Sequence, residues 1–127
     1  MSADKLDNFR RALAALEVSL ASPVTEARDL SGIVKDFELS YELGWKALKK
    51  SLEDQGHPVA SARHAFEMAY GLGWIDDENV WLAMIQDRNL TVHTYNEVFA
   101  QAMVGRIRND YVVALAALRD VLGPRPE

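Results

Sequence analysis

The sequence predicts an all-α protein, an up-and-down bundle of four or five helices, and three observations lead to this fold class. Apolar residues recur every three to four positions along the chain, which is the spacing of one helix face. No segment shows the sustained alternation of apolar and polar residues that marks a half-buried strand. Seven glycines and four prolines interrupt 127 residues, so the helices are long and their connections short, as in a bundle.

The length and composition describe a small acidic domain, and we assign residues 1–127 to a single helical bundle. The chain has no cysteine, which excludes disulfides and thiolate metal sites. Its formal net charge is −5 and neither half is basic, so a protein that coats nucleic acid is disfavoured. No apolar run approaches the roughly 20 residues of a membrane span, and charged residues interrupt the N-terminal stretch, unlike a secretory signal. We therefore expect a cytoplasmic protein.

The first two helices are bounded by stop signals. The first runs from about Asp4 to Leu20, and Pro23 breaks the chain after it. The second begins between residues 25 and 31 and continues to about residue 55, where Gly56 and then Pro58 form a C-terminal stop signal.

Caps and charges mark the remaining helices. The third follows Ser61, a residue type that caps helix N-termini, and ends near Gly71. The fourth starts at the acidic cluster 76–78, which suits the positive end of a helix dipole. The fifth runs from about residue 95 to residue 122. Its start fits a capping box, in which Thr94 and Glu97 would each satisfy a backbone N–H of the other.

The second helix carries more apolar surface than an outer bundle helix needs. At 100° per residue its large apolar residues fall within one arc of about 80°, small residues form a stripe beside that arc, and two leucines lie beyond the stripe. In that order, the three sets are Phe37, Tyr41, Trp45, Leu48 and Leu52; Ser40, Gly44, Ala47 and Ser51; Leu39 and Leu43. Since one apolar stripe suffices for an outer helix, this helix either lies centrally or uses Leu39, Leu43, Gly44 and Ala47 at an interface with another chain.

The densest polar chemistry lies at the junction of the fourth and fifth helices, in the run from Asp87 to Tyr95. Arg88 falls within the apolar arc of its helix, and a guanidinium directed at an apolar face must find hydrogen-bond partners or reach a cleft. Along one unbroken helix Arg88 and His93 diverge by about 140°. They converge only if the helix ends between them or if two copies of the motif meet.

This pair has a chemical and a structural interpretation. An imidazole moves a proton near neutral pH, and a guanidinium stabilises charge on a phosphoryl group. His93 and Arg88 would thus support metal-independent RNA cleavage, with Asn89 orienting a partner. In the structural interpretation Arg88 pairs with Asp87 or Glu97, and His93 merely satisfies a helix end. Spacing alone favours the structural interpretation, because an arginine and a histidine five residues apart carry little specificity.

The segment RNLTVHTY, residues 88–95, resembles the Arg-x4-His-x-Tyr signature of the HEPN superfamily, in its HepT-like branch. Its surroundings resemble a closer family, the nucleotidyltransferase substrate-binding proteins, which are small all-helical partners of minimal nucleotidyltransferases. The matching residues are Phe37, Glu38, Glu42, Trp45 and Lys46 on the second helix, then Trp81, Met84, Arg88, Asn89, His93, Thr94, Tyr95, Asn96 and Glu97. The resemblance spans roughly residues 5–122, and one departure is Asn96, where aspartate is expected more often.

The resemblance implies a homodimeric, HEPN-like bundle that is encoded beside a minimal nucleotidyltransferase and binds it. In HepT-like toxin modules the helical protein is a ribonuclease, and its nucleotidyltransferase antitoxin inactivates it by adding AMP units to the motif tyrosine. Carried over to this chain, Arg88 and His93 would be the ribonuclease pair, with Asn89 beside them. Tyr95 would be the modified residue.

Two functional hypotheses follow. In the first, the chain is a subunit that binds a nucleotidyltransferase as a homodimer and contributes to its substrate cleft, which its acidity and the apolar faces of the second helix favour. In the second, it is a ribonuclease toxin neutralised by AMPylation of Tyr95, which the intact motif favours and the scarcity of basic surface for RNA opposes. The histidines lack metal-site spacing and there is no glycine-rich phosphate loop, so we predict no metal and no cofactor.

Overall fold

The computed structural model describes residues 2–93 and 95–123. That part of the chain is helical without a strand, which confirms the all-α class. The helices are α1 (Ser2–Ala21), α2 (Ala27–Asp54), α3 (Ala62–Gly71), α4 (Glu78–His93), α5 (Glu97–Arg106) and α6 (Val112–Leu122), with a π-helical segment at Ile107–Tyr111. Within the described ranges, none of these helices has the length and apolar character to cross a membrane.

The second helix lies at the centre of the bundle. It packs along α1 and also contacts α3, α5 and α6. At 100° per residue its buried residues fall within one arc of about 140°. The aromatic rings of the core converge on it, since Phe37 stacks on Tyr111 at 5.4 Å and Tyr41 lies 6.1 Å from Phe66. Of the two arrangements that the apolar faces allowed, the central position is the one observed.

The stripe of small residues on α2 packs inside this chain. A Cβ atom built on Gly44 would lie 2.9 Å from Cε1 of Phe9, so the glycine lets α1 approach α2 closely. Ala47 is also buried, with 3% of its surface exposed. The prediction that Gly44 and Ala47 contact another chain is therefore wrong, because the bundle already covers them. Leu39 is 53% exposed and Leu43 is half-buried, so these two members of the predicted interface keep accessible surface.

The predicted fifth helix is one continuous helix made of α5, the π-helical segment and α6. The backbone stays helical at both junctions, with φ −59° and ψ −48° at Ile107 and φ −64° and ψ −34° at Val112. Its N-cap is Asn96, whose side-chain oxygen accepts a 2.8 Å hydrogen bond from the backbone N–H of Phe99. The predicted cap, Thr94, lies outside the described residues. Asparagine caps as well as threonine, and because α4 continues to His93 the next helix begins later than predicted.

Two other helix starts are fixed by side chains. The Ser61 oxygen accepts a 3.1 Å hydrogen bond from the backbone N–H of His64, which confirms the predicted cap of α3. At the start of α2, the Asp29 carboxylate accepts 2.9 Å hydrogen bonds from the backbone N–H groups of Thr25 and Glu26. These bonds hold the pKa of Asp29 below 3.8, because they favour its charged form.

Candidate functional site

The last turns of α4 direct Arg88 toward two carboxylates of α2. Nη1 of Arg88 lies 3.7 Å from Oε2 of Glu38, and its Nε lies 4.0 Å from Oε1 of Glu42. The Thr91 hydroxyl, one turn further along α4, donates a hydrogen bond to the Glu38 carboxylate. The predicted partners Asp87 and Glu97 are therefore wrong, since the acidic residues that face Arg88 come from α2.

The Arg88 guanidinium is attracted by the two carboxylates but makes no hydrogen bond with either of them. Its Nε is buried and has no hydrogen-bond partner among the described residues, and both carboxylate distances exceed hydrogen-bonding range. A buried donor without an acceptor costs about 1–3 kcal/mol. The guanidinium would thus gain from any acceptor that reached it, whether from a rearranged carboxylate, a second chain or a bound anion.

Arg88 and His93 do not converge within one chain. α4 continues unbroken through His93, its last residue, so the two side chains leave the helix about 140° apart. His93 and Asn89 are both exposed. Of the two ways in which the motif residues were predicted to meet, a helix break between them is excluded, and a meeting of two copies remains.

Tyr95 lies in the short connection after α4 and presents its phenol at the surface. The side chain is 46% exposed, and its hydroxyl donates a 2.8 Å hydrogen bond to the hydroxyl of Ser31 on α2. Its ring meets Phe99 edge-on at 6.4 Å, which fixes its direction. A cleft of about 210 Å³ is lined by Tyr95, Ser31 and Glu38, among others. The phenol oxygen is thus accessible to a reagent that enters this cleft.

A second cleft of about 370 Å³ lies beside Arg88 and Asn89. Glu42 and the buried Tyr41 contribute to its wall. Burial, followed by the negative charge of Glu42, raises the pKa of Tyr41 to about 12, so this phenol stays protonated at physiological pH. Glu38 lines one cleft and Glu42 the other, and an anion that approached Arg88 would meet a carboxylate from either side.

A buried carboxylate that sequence reasoning considered only as a partner of Arg88 anchors the site. Asp87 is 7% exposed and accepts hydrogen bonds from Nε and Nη2 of Arg106, at 2.7 and 2.9 Å, and from the hydroxyl of Tyr111 at 2.6 Å. Hydrogen bonding to Asp87 raises the pKa of Arg106. Burial, and then the bond to Asp87, raises the pKa of Tyr111. The three groups join α4 to the last helix one residue before Arg88.

The π-helical segment makes this three-way contact possible. Arg106 and Tyr111 are five residues apart, and two side chains at that spacing point about 140° apart in an α-helix. A π-helix bonds each residue to the fifth one along, as the hydrogen bond from the Val112 N–H to the Ile107 carbonyl shows. Residues five apart then lie on nearly the same side, so both side chains reach Asp87. Apolar periodicity gave no signal for this segment.

These features define a class, an all-helical bundle that presents an Arg-x4-His-x-Tyr motif where α4 ends. The chain belongs to the family described as nucleotidyltransferase substrate binding protein like, whose model matches residues 4–123. It is 28% identical over 101 residues to the probable ribonuclease HepT of Haemophilus influenzae, covering 76% of this chain and 68% of that protein. It also resembles a protein of Thermus thermophilus of known crystal structure, with a TM-score of 0.84, 32% identity, and coverage of 92% of this chain and 99% of that one. The resemblance predicted from the motifs is confirmed.

Proposed function

We propose that this chain is the helical subunit of a two-component module and binds a minimal nucleotidyltransferase as a homodimer. The observation that carries the proposal is membership, over residues 4–123, of a family described by its relation to nucleotidyltransferases. The charges around Arg88 agree with it. Glu38 and Glu42 face the guanidinium within the chain, which suits a protein-binding subunit better than a preformed phosphate site.

Exposed apolar side chains around the motif support the homodimer. Leu39 on α2, Leu90 and Val92 on α4, and Val98 on α5 are 53, 46, 66 and 78% exposed. Such side chains gain about 25 cal/mol for each Å² removed from water, so burial against a second copy is favourable. Two copies that met here would also bring Arg88 of one chain toward His93 of the other.

Light scattering after size exclusion tests the dimer. The wild-type chain should elute with twice its 14.2 kDa mass, and Leu39→Glu combined with Val92→Glu should shift it to the monomer, because charges would be buried without partners. Val18→Glu is the matched control, since Val18 is 67% exposed on α1, away from the motif. A wild-type monomer at micromolar concentration, or a dimer that survives the double substitution, contradicts this part of the proposal.

Copurification tests the partner. The minimal nucleotidyltransferase encoded beside this chain, carrying an affinity tag and coexpressed, should retain the helical subunit at a fixed stoichiometry. Retention should persist in Arg88→Ala and His93→Ala if the role is docking alone. A wild-type subunit that elutes free of the tagged protein removes the proposed function.

The similarity to the probable ribonuclease HepT favours a second candidate function, a metal-independent ribonuclease. The exposed imidazole of His93 would activate the ribose 2′-hydroxyl or protonate the leaving oxygen, while Arg88 would hold the phosphate from the other copy. Purified protein without its partner should then cleave single-stranded RNA in EDTA, and His93→Ala should abolish cleavage. His57→Ala, in the turn after α2, is the matched control. Undiminished cleavage by the His93 variant removes this candidate.

Modification of Tyr95 is tested by intact mass. Coexpression with the nucleotidyltransferase and ATP should add AMP-sized masses to the chain, and Tyr95→Phe should prevent the addition. Tyr70→Phe is a close control, because the exposures of Tyr70 and Tyr95 are 48 and 46%. An addition that survives Tyr95→Phe and disappears in Tyr70→Phe would assign the acceptor elsewhere.

A further inference from the structure

A groove of about 430 Å³ lies at the opposite end of α4 from the motif, between the loop that precedes α4 and the outer face of α6. Its wall includes the half-buried Trp74 from the loop, with Val113 and Val121 from the last helix. The two valines are 62 and 44% exposed, although they are large apolar side chains on a regular helix. This surface is apolar, and none of the described residues covers it.

Carboxylates rim the groove. Asp76 and Asp77 come from the loop and Asp110 from the π-helical segment, and all three are exposed. Asp77 accepts a hydrogen bond from the backbone N–H of Asn79. Among the described residues, neither Asp76 nor Asp110 has an ion-pair partner, and no lysine or arginine lines the groove. An apolar floor with a negative rim is complementary to an apolar segment that carries positive charges.

The groove is separate from the candidate site. Val80 lines the groove on the first turn of α4, and His93 ends the same helix thirteen residues later. At 1.5 Å per residue this is a separation of about 20 Å along the helix axis. A segment bound in the groove would therefore lie at the far end of α4 from His93.

The negative charge of the rim distinguishes between three possible ligands of the groove: a nucleic acid, a second copy of this chain and a segment of another protein. A nucleic acid is disfavoured because its phosphates would face three carboxylates. A second copy is disfavoured because a two-fold contact would place one negative rim against another. A basic amphipathic segment of a different protein has neither difficulty.

We propose that this groove is the surface on which the nucleotidyltransferase subunit docks, through an amphipathic segment whose apolar residues cover Val113 and Val121 and whose lysine or arginine residues pair with Asp76 and Asp110. The inference rests on the proposed function, since it assumes that the chain has such a partner. Because exposed ion pairs are screened by salt, the complex should weaken as salt is raised from about 50 mM to about 500 mM.

Binding of the tagged nucleotidyltransferase to purified variants, measured by calorimetry, tests the groove. Asp76→Lys combined with Asp110→Lys should weaken binding about tenfold or more, as expected for the loss of two interface contacts with reversal of charge. Glu53→Lys combined with Glu67→Lys is the matched control, because it makes the same change in net charge at exposed positions on α2 and α3. Val113→Ser, on the exposed face of α6, tests the apolar floor without altering charge and should also weaken binding.

The outcomes are distinguishable. Weaker binding by both groove variants, with wild-type binding by the control and an unchanged circular dichroism spectrum, supports the inference. If the wild-type chain binds its partner and both groove variants bind equally well, the groove assignment is overturned while the proposed function stands. If the wild-type chain does not bind the nucleotidyltransferase at all, both are overturned.

Discussion

The buried carboxylate of Asp87 ties α4 to the last helix and can be tested by a double-mutant cycle with Tyr111. Asp87→Ala removes the acceptor of three hydrogen bonds, two from Arg106 and one from Tyr111. Tyr111→Phe removes one donor and leaves the ion pair with Arg106 in place. The double variant removes both partners of the buried bond, so it isolates the interaction between Asp87 and Tyr111.

The exposures of the partners set the magnitudes. The Tyr111 side chain is 2% exposed, so Asp87→Ala leaves its hydroxyl buried without an acceptor, which costs about 1–3 kcal/mol. Arg106 is 40% exposed and can turn toward water, so its lost ion pair adds about 0–1 kcal/mol. We expect Asp87→Ala to lower the free energy of unfolding by about 2–3 kcal/mol and Tyr111→Phe by about 1 kcal/mol.

Urea unfolding at pH 7 measures the four free energies of the cycle. The double variant should be more stable than the sum of the two single losses predicts, by about 1–2 kcal/mol, because no unsatisfied hydroxyl remains. Asp120→Ala is the control, since Asp120 is 73% exposed and bonded to its neighbour Arg119, and its loss should be within about 0.5 kcal/mol. Strictly additive losses would refute the reasoning, because the buried bond would then contribute nothing of its own.

Three further predictions concern packing and protonation. Gly44→Ala should destabilise the fold by about 1–2 kcal/mol in urea unfolding, because its Cβ meets Phe9, whereas Gly32→Ala, with no atom within 4 Å, should stabilise α2 by about 0.5–1 kcal/mol. Because the pKa of Asp29 is lowered, its ionised carboxylate stabilises the folded state above pH 3.8, and this stabilisation is lost as pH falls through the folded-state pKa. A pKa of 3.8 or higher for the Asp29 carboxyl, measured by NMR, would contradict this prediction. Burial raises the pKa of Tyr41 to about 12, so its protonated phenol stabilises the folded state below pH 10, and this stabilisation is lost as pH rises through 12. In an alkaline titration followed by ultraviolet absorbance, the late transition of this phenol should be absent in Tyr41→Phe.

The sequence predicted those features whose causes lie within a few residues of each other. The cap of α3 was identified because the Ser61 oxygen and the N–H that it accepts are three residues apart. The start of the last helix was misplaced because Thr94 and Asn96 are both good caps, and the choice depends on where α4 ends. The sequence showed the stripe of small residues on α2, but a stripe does not say which helix packs on it, and Gly44 faces Phe9 of α1.

The site required contacts across the fold that no local pattern contains. Glu38 and Glu42 precede Arg88 by 50 and 46 positions, so spacing along α4 pointed to the wrong carboxylates. Glu38 and Glu42 are four residues apart and so share one side of α2, but only the packing of α4 shows that this side meets Arg88. The π-helical segment that brings Tyr111 to Asp87 has no apolar signature at all, because it rearranges the backbone without changing which residues are apolar.

The position of Arg88 and His93 on one unbroken helix links the two candidate functions. If the motif acts in RNA cleavage, it needs a second chain, because α4 turns the two side chains about 140° apart. The Leu39 and Val92 surface would then be required for cleavage. The proposed docking groove lies about 20 Å away along the same helix and does not depend on that surface. A monomeric Leu39→Glu/Val92→Glu variant should therefore no longer cleave RNA but should still bind the nucleotidyltransferase. The groove variants should cleave RNA but bind the nucleotidyltransferase weakly.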